Sequence, residues 1–138
     1  MWPGQQPAKG MEAAMFPSIL IVDDSSFIRV LVRRCIEANT AWNVCGEAEN
    51  GKIAVEKVIQ LHPDIVILDL QMPVMDGLEA ARQITKIAPN TVLLMFTMHK
   101  SEQLAQAAKA AGIRDVVSKS DSVTEHLLAS LRSMEVGA

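Results

Sequence analysis

Five polar residues stand where apolar runs end: Asp23 and Asp24 after "SILIV", Asp69 after "DIVIL", Thr97 after "TVLLMF" and Lys119 after "DVVS". Each has an ordinary explanation by itself. The acidic pair ahead of Ser25-Ser26 could start a helix, Thr97 could be a β-former that happens to end a strand, and Lys119 could be a solvated loop cation. Taken as a set, they carry a different chemistry. Crowded carboxylates repel and raise the pKa of at least one of them unless a cation intervenes, and a divalent metal supplies that cation. Mg²⁺ takes hard oxygen ligands, usually one or two carboxylates with waters and phosphate oxygens. The chain has no glycine-rich phosphate cradle and no Walker-type lysine motif, so a phosphoryl group must arrive other than on a docked nucleotide. A carboxylate can itself attack phosphorus and form an aspartyl phosphate, and Asp69 is the candidate. Metal and Lys119 would neutralise the phosphoryl oxygens, and the Thr97 hydroxyl would hydrogen-bond a third one.

These residues need elements to position them. Strands are expected at 18–22, 42–48, 64–68, 91–96 and 115–118. "ILIV", "IVIL" and "VLLMF" are continuous apolar runs, the pattern of parallel strands covered on both faces. Between them lie segments of helical period. Ile28, Leu31, Val32, Cys35 and Ile36 form one stripe, and further helices are expected at 52–61, 78–87, 102–111 and from Val123 to about Met134. Ser25, Asp76 and Ser101 read as N-caps, Gly112 as a helix C-terminal glycine, and Pro63 and Pro89 as stops. Strands alternating with helices give an open α/β sheet with right-handed crossovers, in which ligands gather at the carboxyl ends of the strands.

Composition narrows the function. The chain has 138 residues, 49% hydrophobic and 21% charged, which suits one folded domain. Residues 1–16, "MWPGQQPAKGMEAAMF", read as a flexible leader, or as a start codon placed upstream of Met11 or Met15, and 17–135 as the domain. A net charge of −3, with Arg33-Arg34 the only basic pair, argues against nucleic acid or anionic lipid as a direct partner. There is no run of about 18 apolar residues and no secretory signal, so a soluble cytoplasmic protein is expected. Cys35 and Cys45 lack metal-ligand spacing and read as reduced core thiols. His62, His99 and His126 have no spaced partners either. Trp42 is expected to pack near the start of the second strand.

Four stretches, "ILIVDDSS", "DIVILDLQMPVMDGLE", "LLMFTM" and "VVSKSD", resemble the phosphoacceptor receiver domain of bacterial two-component response regulators, over residues 17–135. The resemblance implies a flavodoxin-like, doubly wound, five-stranded parallel sheet of order 2-1-3-4-5 with five helices. It implies that Asp69 is the phosphorylated residue and that Asp24 ligates Mg²⁺ directly, with Asp23 beside it or holding its water. The Gln71 carbonyl would complete the ligands, Thr97 would be the switch hydroxyl, Lys119 the family's lysine, and Pro73 and Gly77 would shape the loop. A sensor histidine kinase or phosphotransfer protein would be the donor. A downstream effector would read the surface Ser101–Met134, and a homodimer is a further expectation with no surface assigned to it. Activity would be confined to self-phosphotransfer and slow autodephosphorylation.

Departures from the family pattern are also visible. Val116 stands where an aromatic is common, so the usual rotamer switch is absent. Met98 replaces a small residue after the hydroxyl and would narrow phosphoryl access. Ser120 after Lys119 replaces a common Pro and is more similar to receivers of helix-turn-helix transcription regulators. His99 and Gln71 stand where they would influence dephosphorylation from the mouth of the site. Other readings are a receiver fold that binds partners or dimerises without phosphorylation, and a receiver fragment of a DNA-binding regulator. A haloacid dehalogenase-type phosphatase would need its nucleophile on the first strand in an Asp-x-Asp arrangement, which Asp23-Asp24 do not provide.

Overall fold

In the computed structural model, which describes residues 17–120 and 123–137, five strands alternate with five helices. They are β1 (Ser18–Val22), α1 (Ser26–Asn39), β2 (Asn43–Ala48), α2 (Gly51–Leu61), β3 (Ile65–Leu68), α3 (Gly77–Ile87), β4 (Val92–Thr97), α4 (Glu102–Ala110), β5 (Ile113–Ser118) and α5 (Val123–Gly137). The expected leader, 1–16, lies outside the described residues.

All strand pairs are parallel and the order is β2-β1-β3-β4-β5, the expected flavodoxin-like arrangement. The continuous apolar runs follow from burial on both faces, because alternate side chains leave opposite sides of the sheet. Leu20, Val22, Val66, Leu68, Leu93 and Met95 face one cluster with Ala54 and Val58 of α2, Ala80 and Ile84 of α3, and Leu104 and Ala108 of α4. Their neighbours Ile19, Ile21, Ile65, Ile67, Leu94 and Phe96 face the other, with Val32 and Ile36 of α1 and Leu127 and Leu131 of α5. Trp42 is buried in that second cluster, just before β2.

Helix starts at Ser25, Asp76 and Ser101 are capped as expected, each side chain accepting from the backbone N–H three residues on. Asn50 makes the same cap for α2, so that helix begins at Gly51 and not at Lys52. Gly112 has φ +92°, and a Cβ there would meet Thr85 Oγ1 at 2.4 Å, so both conformation and space require glycine after α4.

β5 begins at Ile113, two residues before the expected start. The register shifts between Leu93 and Leu94 skip Arg114, a bulge on an edge strand that leaves Arg114 and Asp115 both exposed and erases the alternation. A similar irregularity skips Cys45 on β2, the opposite edge.

Candidate functional site

The sheet ladder brings the acids together. Beyond the ends of β1 and β3, Asp23 N–H donates to the Ala48 carbonyl and Asp69 N–H to the Val22 carbonyl, both at 3.0 Å. Both acids therefore sit on backbone that is already fixed. The loop after Asp69 is equally constrained. Gly77 N–H donates to the Leu70 carbonyl at 2.7 Å, and a Cβ at Gly77 would lie 2.0 Å from the Asp69 carbonyl oxygen. Met75 N–H returns to the Pro73 carbonyl across Val74, whose φ of +70° is strained for a β-branched residue.

Lys119 joins the two strand ends. Its Nζ donates to Asp23 Oδ2 at 2.6 Å and to Asp69 Oδ2 at 3.0 Å, with its side chain 8% exposed. The Phe96 ring lies beneath the ammonium, 5.7 Å from Nζ to its centroid. Burial alone would pull the Lys119 pKa down, but hydrogen bonds to Asp23 and Asp69 outweigh it and raise it. For Asp23 burial dominates, holding its carboxyl above the ordinary value against the lowering pull of Lys119 and of the Ser25 N–H. The other Asp23 oxygen accepts that N–H at 2.9 Å, and Asp69 Oδ1 accepts from Leu70 N–H at 2.7 Å.

Oxygen atoms of Asp23, Asp24 and Asp69 lie within 4.8 Å of one another. Three carboxylates against one ammonium leave negative charge uncompensated, and the donors are hard oxygens, so the cluster suits a divalent cation such as Mg²⁺. The two adjacent acids divide the work. Asp23 is buried against Lys119, while Asp24 is exposed and lines an open cleft of about 450 Å³ with Asp69 and Gln71.

Met72, Pro73, Met98 and His99 form the rest of that cleft's wall. Met98 is 59% exposed there, and His99 reaches the mouth. Met72 was not singled out from the sequence, where a methionine beside a proline reads as loop packing. Thr97 is fully buried, accepts His99 N–H on its hydroxyl at 3.3 Å and accepts Lys119 N–H on its carbonyl at 2.9 Å. It is tied to Lys119 by backbone and does not line the cleft, although the two residues after it do. Val116 is buried in the cluster that holds Leu104 and Ala108. His62 caps α2 in a left-handed conformation, and His126 is exposed on α5.

Similarity to known proteins agrees with this geometry. Residues 19–132 match the response regulator receiver domain family. The chemotaxis protein CheY of Thermotoga maritima is 39% identical over 101 residues, covering 73% of this chain and 83% of that one. The protein-glutamate methylesterase/protein-glutamine glutaminase 1 of Methanosarcina acetivorans is 43% identical over 105 residues, and the match spans 75% of this chain but only 30% of that protein. Among solved structures, a LuxR-family two-component response regulator from Aurantimonas sp. SI85-9A1 superposes with a TM-score of 0.83 at 33% identity, covering 88% of this chain and 86% of that one. With the family match covering residues 19–132 and the strand order as expected, the chain belongs to the response regulator receiver domain family.

Proposed function

We propose that this receiver domain is a signalling switch that takes a phosphoryl group onto Asp69. The observation that carries the reading is the Lys119 ammonium shared between Asp69 and Asp23, beside a cleft into which Asp24 and Asp69 both open. Mg²⁺ held by Asp24, Asp69 and the Gln71 carbonyl, with Asp23 beside it or holding its water, would neutralise phosphoryl oxygens during transfer. An Asp69 oxygen attacks phosphorus as the bond from phosphorus to the donor's histidine nitrogen breaks, and the imidazole leaves with the bonding pair. Lys119 then exchanges its Asp69 contact for a phosphoryl oxygen, and the Thr97 hydroxyl turns to another. Because Asp69 rests on a strand end and on a loop closed by Gly77, its oxygens are oriented before the donor arrives.

The donor is a sensor histidine kinase or a phosphotransfer protein. Phe27, Val30 and Leu31 on α1 give it an apolar landing face, with Phe27 three residues beyond Asp24 and 72% exposed. An effector, or a second copy of the chain, reads the surface between Ser101 and Met134. The alanines there divide between packing and exposure: Ala108 and Ala111 are buried, while Ala105 and Ala110, like Lys109 and Arg114, are exposed. Cytoplasmic placement fits this chemistry, and no helix among the described residues is long and apolar enough to cross a membrane. Catalysis is confined to self-phosphotransfer and slow loss of the phosphoryl group.

The test is intact-mass measurement after incubation with acetyl phosphate and Mg²⁺. Wild type should gain one phosphoryl group and Asp69→Asn none. A second reading, partner binding without phosphorylation, is favoured by Met98 over the cleft and Val116 in place of an aromatic. Wild type left unlabelled under these conditions would select it.

A further inference from the structure

We infer that Arg29, held in place by Glu47, is a positioning residue for the metal site; the inference rests on the reading of Asp23, Asp24 and Asp69 as that site. β1 ends at Val22, so the peptide joining Asp23 to Asp24 lies beyond the strand. Its orientation decides where Asp24 begins, and hence whether the Asp24 carboxylate faces the cleft. Arg29 Nη1 donates to the Asp23 carbonyl oxygen of that peptide at 2.6 Å. The Asp23 N–H is held from the other side by the Ala48 carbonyl. With the carboxylate engaged by Ser25 and Lys119, every polar atom of Asp23 has a protein partner.

Arg29 is itself fixed from β2. Its Nε donates to Glu47 Oε1 at 3.0 Å, while Arg33 Nε donates to Glu47 Oε2 at 2.9 Å. The Glu47 carbonyl accepts from Lys57 of α2. The guanidinium uses one nitrogen on the carboxylate and another on the Asp23 peptide, a two-point hold that a lysine ammonium lacks the planar geometry to reproduce. It also places a fixed positive charge beside a loop in which adjacent carboxylates repel. Partners behind metal ligands of this kind commonly change affinity by about 10–100-fold when removed.

Arg33 provides the control, because it shares Glu47 but does not touch the Asp23 peptide. Calorimetric titration with Mg²⁺ should show Arg29→Ala weakening binding by about tenfold, and Arg33→Ala by less than about twofold. Both variants should lower the thermal midpoint of the metal-free protein to a similar extent. At saturating Mg²⁺, labelling of Arg29→Ala by acetyl phosphate should return to within about twofold of wild type, since the reacting groups are intact. Arg29→Lys, which keeps the charge and stem, gives intermediate Mg²⁺ affinity and serves if the alanine variant does not fold. Unchanged Mg²⁺ affinity in the Arg29 variants, or equal weakening in Arg33→Ala, would overturn the inference. Failure of the wild type to bind Mg²⁺ would instead overturn the reading of the acidic cluster, and the inference with it.

Discussion

Lys119 Nζ lies 3.0 Å from Asp69 Oδ2 and 2.6 Å from Asp23 Oδ2, so one ammonium holds two acids from different strands together. Removing it leaves buried carboxylates facing one another, and breaking a buried pair from one side costs about 3–5 kcal/mol. For Lys119→Met, a loss near the lower end, about 3 kcal/mol, is expected in metal-free urea unfolding, because the acids open onto a wet cleft. With Mg²⁺ the deficit should shrink, as the cation takes over the compensation and binds more tightly than in wild type. A deficit that is the same with and without Mg²⁺ would show that the lysine acts by packing alone.

The ends of β1, β3 and β4 were legible because each of these strands writes both of its faces as apolar, so the polar residue ending the run stands out. Thr97, Asp69 and the acidic pair were found in that way. The division of labour between Asp23 and Asp24 came only from the family resemblance and not from the residues themselves, since two identical neighbours look alike until Lys119, ninety-six residues on, selects one of them. Arg29 and Glu47 escaped for a related reason: a helix residue and a strand residue eighteen apart share no periodicity. Asn50 ahead of Gly51 resembles a turn, and only the Ile53 N–H on its side chain reveals a cap. The Arg114 bulge broke the alternation that would have marked the start of β5.

Gly77 tests the loop. A Cβ there would stand 2.0 Å from a backbone oxygen of Asp69, which cannot move without dragging the proposed nucleophile. Gly77→Ala should therefore lower stability by more than about 2 kcal/mol, in the range of severe packing and backbone defects. Any folded fraction should label slowly with acetyl phosphate even at saturating Mg²⁺. A variant with wild-type unfolding midpoint and labelling rate would show that the loop adapts freely.

Glu47 predicts a pH dependence. Burial pushes its carboxyl up, but Arg33 and Arg29 outweigh burial and hold it below the ordinary value of 4.5. A carboxyl with a depressed folded pKa contributes stability that is complete above its unfolded pKa and is lost as pH falls through the folded one. Wild type should thus lose stability relative to Glu47→Gln as pH drops below about 4.5, with the difference constant toward neutrality. Parallel stability curves for the two proteins between neutral and strongly acid pH, measured by urea unfolding, would contradict the assignment of the shift to this ion pair.

Met98 stands at the mouth of the cleft. Its side chain is 59% exposed, and it lines the same opening as Asp24, Asp69 and His99. An exposed methionine contributes little to stability, so Met98→Ala should unfold within about 0.5 kcal/mol of wild type. Its effect should fall on access. Widening the opening admits both acetyl phosphate and the hydrolytic water, so labelling and loss of the phosphoryl group should accelerate together, each by about threefold to tenfold, which is at most about 1.4 kcal/mol of barrier. His99→Ala and Gln71→Ala line the opening without Met98's bulk, and should alter the hydrolytic rate more than the labelling rate. Because a small donor and a water differ in size, faster hydrolysis with unchanged labelling in Met98→Ala would mean that this side chain orders water and does not narrow the entrance.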